Sequence, residues 1–120
     1  GSATVQALFD EMGRLAGRPW VMLSAGADKE AFRDILVHAF KAGASGFLAG
    51  RAIWQDAFKL YPDWDRIVEG LAGDGLAYLK DIAGIADATA HPWHRHPCYA
   101  DGGAAFQPAD ATFRHGYDAL

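Results

Sequence analysis

Pro19-Trp-Val-Met-Leu-Ser-Ala-Gly26 and, further along, Ala42-Gly-Ala-Ser-Gly-Phe-Leu-Ala-Gly-Arg51 are the stretches whose reading decides the fold. Each is a short apolar run that ends in small residues. Between them Phe32, Ile35, Leu36, Ala39 and Phe40 recur at the spacing that lines one side of a helix. Asp28 stands where a helix cap belongs, and Ala42-Gly43 where a helix stops. Strand, glycine loop, crossover helix, strand and second glycine loop make a βαβ unit, which joins two parallel strands. Both loops then fall at the carboxyl ends of their strands, where parallel α/β folds place ligands.

Working outward, Val5, Leu8, Phe9, Met12 and Leu15 predict an amphipathic helix over residues 3–16, closed by Gly17. Arg18-Pro19 favours an extended entry into a strand over residues 20–24, because the residue before proline avoids the helical region. The second strand is expected over about residues 45–49, with Gly43 and Gly46 marking close backbone approach. A short helix from Arg51 should run to Leu60 or Tyr61 and break at Pro62. Asp63 can cap a helix carrying Trp64, Ile67, Val68 and Leu71. A last helix over about residues 74–88 would bury Leu76, Leu79, Ile82, Ile85 and Ala86. After Ala90 the composition changes: residues 91–119 hold no Leu, Ile or Val but contain Pro92, Pro97, Pro108, Gly102, Gly103 and Gly116. That divides the chain into residues 1–90, built of βα units, and an irregular tail over 91–120. The aromatics Trp93, Tyr99, Phe106, Phe113 and Tyr117 suit that tail to contact with a neighbour.

With 120 residues the chain is one domain at most, and it supplies two parallel strands. Such a pair leaves open edges with unpaired backbone groups, so an oligomer or a missing amino-terminal portion is expected to complete it. A net charge of −4 provides no basic stripe for nucleic acid. No apolar run reaches the roughly 18 residues of a bilayer span. The single cysteine, Cys98, excludes an internal disulfide framework and suits a reducing cytoplasm.

The chemistry offered by the two loops is anion binding. A phosphate needs convergent backbone N–H donors, which glycine turns bring close, and a cation to balance its charge. Ser24, Ala25 and Gly26 supply the first turn, and Gly50 and Arg51 the second, where the start of a helix adds partial positive charge. A guanidinium fork fits phosphate oxygens and is always charged. The plainer alternative is that these glycines are turn residues and Arg51 an exposed helix start. Trp54 reads as core rather than as a substrate stacker. His91, His94, His96 and Cys98 place four potential metal ligands in a short segment, yet two prolines stiffen it and no established zinc spacing is matched. His38 and His115 read as structural, and nothing beside Cys98 but histidines marks it as a nucleophile.

Leu23-Ser-Ala-Gly26 and Gly50-Arg51-Ala52-x-Trp54, in this order and spacing, resemble the class I tagatose-1,6-bisphosphate aldolase family, which includes sulfofructose-phosphate aldolases. The likeness runs over about residues 3–96. It implies an α/β fold, the carboxyl-terminal portion of a (β/α)8 TIM barrel, with these loops after the seventh and eighth strands. The resemblance further implies a lyase that cleaves a phosphorylated ketose to dihydroxyacetone phosphate and an aldehyde through a Schiff base. No metal or other cofactor is implied. Ser24, Ala25, Gly26, Gly50 and Arg51 would hold one substrate phosphate, or inorganic phosphate or sulfate in its place. The family's Schiff-base lysine belongs to the sixth strand, upstream of this chain. Lys29, Lys41, Lys59 and Lys80 all fall at polar helical positions, so no catalytic residue is assigned here and this chain is not expected to catalyse the reaction alone. The rival expectation is a non-catalytic half-barrel module that assembles with itself, or the carboxyl-terminal domain of a sugar-kinase fusion.

Overall fold

The structure, a computed structural model, describes residues 2–99. The tail positions Phe106, Phe113, His115 and Tyr117 lie outside the described residues. Helix α1 (Ser2–Ala16) leads into strand β1 (Val21–Leu23), helix α2 (Lys29–Lys41), strand β2 (Gly46–Leu48) and helix α3 (Arg51–Phe58). Helix α4 (Trp64–Gly70) passes through a π-helical turn (Leu71–Gly75) into α5 (Leu76–Thr89), and two single 3-10 turns follow (Trp93–Arg95 and Pro97–Tyr99). The fold is α/β: mostly helical, around one two-stranded parallel sheet.

The strands pair Val21 with Gly46, Met22 with Phe47 and Leu23 with Leu48. Two further bonds lengthen the ladder, Ser45 N–H to the Trp20 carbonyl at 2.8 Å and Ser24 N–H to the Leu48 carbonyl at 3.0 Å. Alternation along a strand sends neighbours to opposite faces. Met22 and Phe47 turn towards the helices, where Phe47 meets Phe32 edge-to-face at 6.3 Å. Val21, Leu23 and Leu48 are exposed.

The core is the apolar stripe of α2. Phe32, Leu36, Ala39 and Phe40 are buried, and Ala44, Ala52 and Ile82 close around them. The Asp28 carboxylate caps this helix by accepting from Ala31 N–H at 2.8 Å. At its other end Gly43 turns the chain with φ of +95°, the left-handed conformation that costs a side chain most. Helix α5 packs on the same stripe through Tyr78, Ile82, Ile85 and Ala86. Tyr78 Oη donates to the Lys29 carbonyl at 2.9 Å, tying α5 to the first residue of α2.

Three expectations from hydrophobic spacing are corrected. Leu8, Leu15, Val5 and Met12 of α1 are exposed, and the helix docks instead through Gln6, Phe9 and Gly13. His38 Nδ1 donates to Gln6 Oε1 at 2.7 Å, Gln6 Nε2 donates to the His38 carbonyl at 3.3 Å, and the Phe9 and His38 rings stack at 6.0 Å. Of the stripe assigned to α4, Trp64 and Val68 are exposed while Ile67 is buried. In α5, Ile82, Ile85 and Ala86 pack on the core as expected, but Leu76 and Leu79 face outward, because Gly75 and Tyr78 take the inward positions of the first turn. No break separates α4 from α5 either. Gly70 and Gly75 bring the π-turn against α3, where a Cβ on Gly70 would stand 3.4 Å from Ala57 Cβ and one on Gly75 3.5 Å from the Ile53 carbonyl oxygen.

Gly13 is the contact on which α1 rests, since a Cβ there would collide with the carbonyl oxygen of Ala42. Gly13→Ala is therefore expected to cost about 1–3 kcal/mol, as overpacking does. Hydrogen exchange should show protection lost over residues 2–16 and kept in α2; unchanged protection would refute the docking described. A second expectation concerns alkaline pH. Burial, and then the carboxylates of Asp81, Glu30 and Asp28, raise the Tyr78 pKa. The folded state thus favours the neutral phenol, so this contribution is complete below the ordinary tyrosine pKa and is lost as pH rises through the raised one. Tyr78→Phe should flatten the alkaline fall in melting temperature.

Candidate functional site

Both loops emerge at the carboxyl end of the sheet, on either side of one cleft of about 500 Å³. Leu23 and Leu48 form its apolar floor, and Ser24, Gly26, Gly50, Arg51 and Trp54 its rim. Ser24 is buried, with its N–H bonded into the ladder and its carbonyl accepting from Ala27 N–H at 2.8 Å. The chain then turns through two consecutive left-handed residues, Ala25 at φ +49° and Gly26 at φ +88°. This places no side chain above Gly26, and the Arg51 guanidinium fills that space. A Cβ on Gly26 would lie 3.0 Å from Arg51 Nη2 and 3.3 Å from its Cζ.

The second loop delivers Arg51 because Gly50 begins α3. Its carbonyl accepts from Ile53 N–H at 2.8 Å and Trp54 N–H at 3.3 Å. The N–H groups of Ala25, Gly26, Arg51 and Ala52 make no backbone hydrogen bond among the described residues. Those are the donors an anion could use, whereas the Ser24 N–H offered by the sequence reading is spent on Leu48.

Charge near Arg51 is sorted by its neighbours. A second, polar cleft of about 400 Å³ on the other side of Arg51 is lined by Asp28, Lys29, Asp56 and Lys59. Asp28 is committed to its cap, and Asp56 is held by Lys59 Nζ at 2.7 Å and Lys29 Nζ at 3.4 Å. The hydrogen bond and charge of Lys59, with help from Lys29, lower the Asp56 pKa. Among the described residues Arg51 enters no ion pair, which leaves its charge for an external anion.

Trp54 is corrected from core to cleft wall. It is 41% exposed and lies edge-to-face on Phe58 at 5.4 Å. Its helical spacing after Arg51 was visible in the sequence, but the absence of a covering element among the described residues was not. None of the lysines lines the loop cleft. Lys29 is mostly buried rather than freely solvated, with its ammonium 5.8 Å from the Tyr78 ring centre. Among the described residues no three His, Cys, Asp or Glu side chains are grouped to hold a metal ion. His96 Nδ1 accepts from Cys98 N–H at 3.1 Å, and His94 packs against Trp93. No helix among the described residues is long and apolar enough to cross a membrane.

A βαβ unit with a cation bridging both of its loops defines the class: an α/β protein with a candidate anion site at the strand ends. Comparison with known sequences is specific beyond that. The model of a family described as DeoC/LacD family aldolase matches residues 2–56. Tagatose 1,6-diphosphate aldolase 2 of Streptococcus mutans serotype c is 34% identical over 89 residues, covering 71% of this chain and 27% of that enzyme. The corresponding Streptococcus pyogenes serotype M1 enzyme is 37% identical over 81 residues, 62% of this chain and 24% of its own length. Tagatose 1,6-diphosphate aldolase 1 of Streptococcus pyogenes serotype M3 is 30% identical over 89 residues, again 71% and 27%. Over these residues the chain is thus similar to DeoC/LacD family aldolases and to tagatose 1,6-diphosphate aldolases, and it spans about a quarter of the length of these curated relatives.

Gly26→Ala is expected to destabilise the chain by about 1–2 kcal/mol through its left-handed φ and to push the Arg51 guanidinium aside. Thermal unfolding reads the first effect, and a changed side-chain Nε resonance of Arg51 the second; a variant that matches the parent in both would refute the contact. Asp56 sets an acid-side expectation. Its pKa is lowered, so the contribution of its lysine contacts is present above the ordinary carboxylate pKa and is lost as pH falls through the lowered one. Asp56→Asn should remove that part of the acid dependence of melting.

Proposed function

We propose that this chain is the carboxyl-terminal part of a (β/α)8 Schiff-base aldolase acting on a phosphorylated ketose such as tagatose 1,6-bisphosphate. Residues 1–90 are its last βα units and residues 91–120 its tail. Ala25, Gly26, Gly50 and Arg51 hold a substrate phosphate, with Trp54 closing one side, while Ser24 anchors the first loop through the ladder. The observation that carries this reading is Arg51, which spans from the second loop to the first and has no acidic partner among the described residues. Its fork and the free N–H groups at the start of α3 match phosphate in both charge and geometry.

The Schiff-base lysine comes from a preceding strand of the same enzyme, because Lys29, Lys41 and Lys80 are helical, Lys59 follows the end of α3, and all four lie off the cleft. That lysine would attack the substrate carbonyl and lose water to give an iminium, which accepts the electron pair when the carbon–carbon bond breaks. The role of this segment is to anchor the phosphate so that the carbonyl stays in reach. The exposed face of Val21, Leu23 and Leu48 becomes barrel interior, which supports the same reading.

The test is cleavage of tagatose 1,6-bisphosphate by the full-length enzyme carrying Arg51→Ala. Loss of a hydrogen bond to a charged group is worth about 1.5–3 kcal/mol, so KM should rise at least tenfold, while borohydride still traps the Schiff base at saturating substrate. An unchanged KM overturns the phosphate role. If no Schiff base forms in the parent, the aldolase reading fails, and the rival of a self-assembling module gains if the chain alone has a single oligomeric mass.

A further inference from the structure

The amino-terminal end of the sheet carries a second concavity that the aldolase reading does not use. It has a volume of about 430 Å³ and lies between the end of α1, the entries to both strands and the segment after α5. Trp20 and Ser45 line it from the strand entries, and His91, Arg95 and His96 from the carboxyl-terminal segment. Among the described residues no aspartate or glutamate lines it, although the chain holds 15 acidic residues against 11 Lys and Arg. The polar cleft beside Arg51, by contrast, has Asp28, Glu30 and Asp56 among its walls.

The hydrogen bonding of this segment specifies which groups remain for a ligand. His91 N–H donates to the Ala44 carbonyl at 3.0 Å, which fastens the segment to the entry of β2 and leaves the imidazole free of that duty. His96 Nδ1 accepts from Cys98 N–H, so the ring proton of its neutral form sits on Nε2, and His96 is a donor there. Arg95 enters no ion pair among the described residues. The negative end of α2 nearby is blunted, since Ala42, Gly43 and Ala44 N–H groups bond the carbonyls of residues 38–40. Trp20 is half-buried against the core and supplies a planar apolar wall.

We propose that this cleft binds a small anion joined to a planar ring, of the nucleoside monophosphate kind. Arg95, with His91 and His96, receives the anionic group, and Trp20 receives the ring. The site stands at the opposite end of the strands from the Arg51 loops. None of its lining residues belongs to the Arg51 cleft, so binding here is independent of the phosphate role given to Arg51.

The probes are adenosine monophosphate and ribose 5-phosphate, titrated calorimetrically into the full chain and its variants. Adenosine monophosphate should bind, with ribose 5-phosphate at least tenfold weaker because it lacks the ring. Arg95→Ala, an exposed position, should weaken adenosine monophosphate at least tenfold with the fold retained by circular dichroism. The component of adenosine monophosphate binding that depends on Arg95 should persist in Arg51→Ala. Equal binding of the two probes in the Arg51→Ala background, insensitivity to Arg95→Ala, or loss of the Arg95-dependent binding in Arg51→Ala each overturns the proposal. If Arg95→Ala should unfold the chain, His96→Gln provides the same reading, with weakened binding in support and unchanged binding against.

Discussion

Parallel pairing of two three-residue strands is the constraint from which the rest follows. Parallel strands cannot be joined by a tight turn, so the chain must return the length of the sheet before β2 begins, and α2 is that return. The same geometry puts Ser24 to Gly26 and Gly50 to Arg51 at one end and Trp20 and Ser45 at the other. Arg51 can then reach across to Gly26 only because both loops open in the same direction. An antiparallel hairpin of identical sequence would separate them by the length of a strand.

The sequence carried this much because α2 has a complete signature: a carboxylate cap, a stripe at helical spacing and a glycine stop. All of it is matched by the buried set and by the Asp28 and Gly43 geometry. The Arg51–Gly26 contact was legible only as two loops in register. Nothing in a one-dimensional pattern tells that the absent Cβ of Gly26 is the seat of a guanidinium. Nor does it tell that Lys29 and Lys59 would take Asp56 away from Arg51. The failures have one physical source. Periodicity identifies which residues share a helix face, but not whether a covering element exists, so the stripe of α1 and the outer leucines of α5 read as core and stand exposed.

These exposed apolar groups are not scattered. Val21, Leu23 and Leu48 share one face of the sheet, while Val5, Leu8, Met12 and Leu15 share one side of α1. A sheet of parallel strands is stable when both faces are covered. Here the helices cover one face, and the other is as apolar as the core it would join. Relatives about four times the aligned length have chain with which to cover it. The helix-covered half is internally complete, with its polar links made: Tyr78 to Lys29, His38 to Gln6 and His91 to Ala44. Local packing and long-range closure are therefore separable here.

That separation bears on how each end of the sheet would work. At the carboxyl end the cleft floor is Leu23 and Leu48, the same residues whose exposure marks the uncovered face. A phosphate held by Arg51 would there gain from every added wall, since excluding water strengthens a charge-assisted contact. At the amino-terminal end the walls are α1, the strand entries and the segment after α5, which are held by Gly13, Trp20 and His91 without help from the uncovered face. A ligand at the first site would thus depend on closure of the fold around it, and one at the second on contacts already in place. A change that loosens α1 would thus be felt at the Trp20 cleft, while the Arg51 loops, bound to each other through β1, β2 and the guanidinium on Gly26, would keep their geometry.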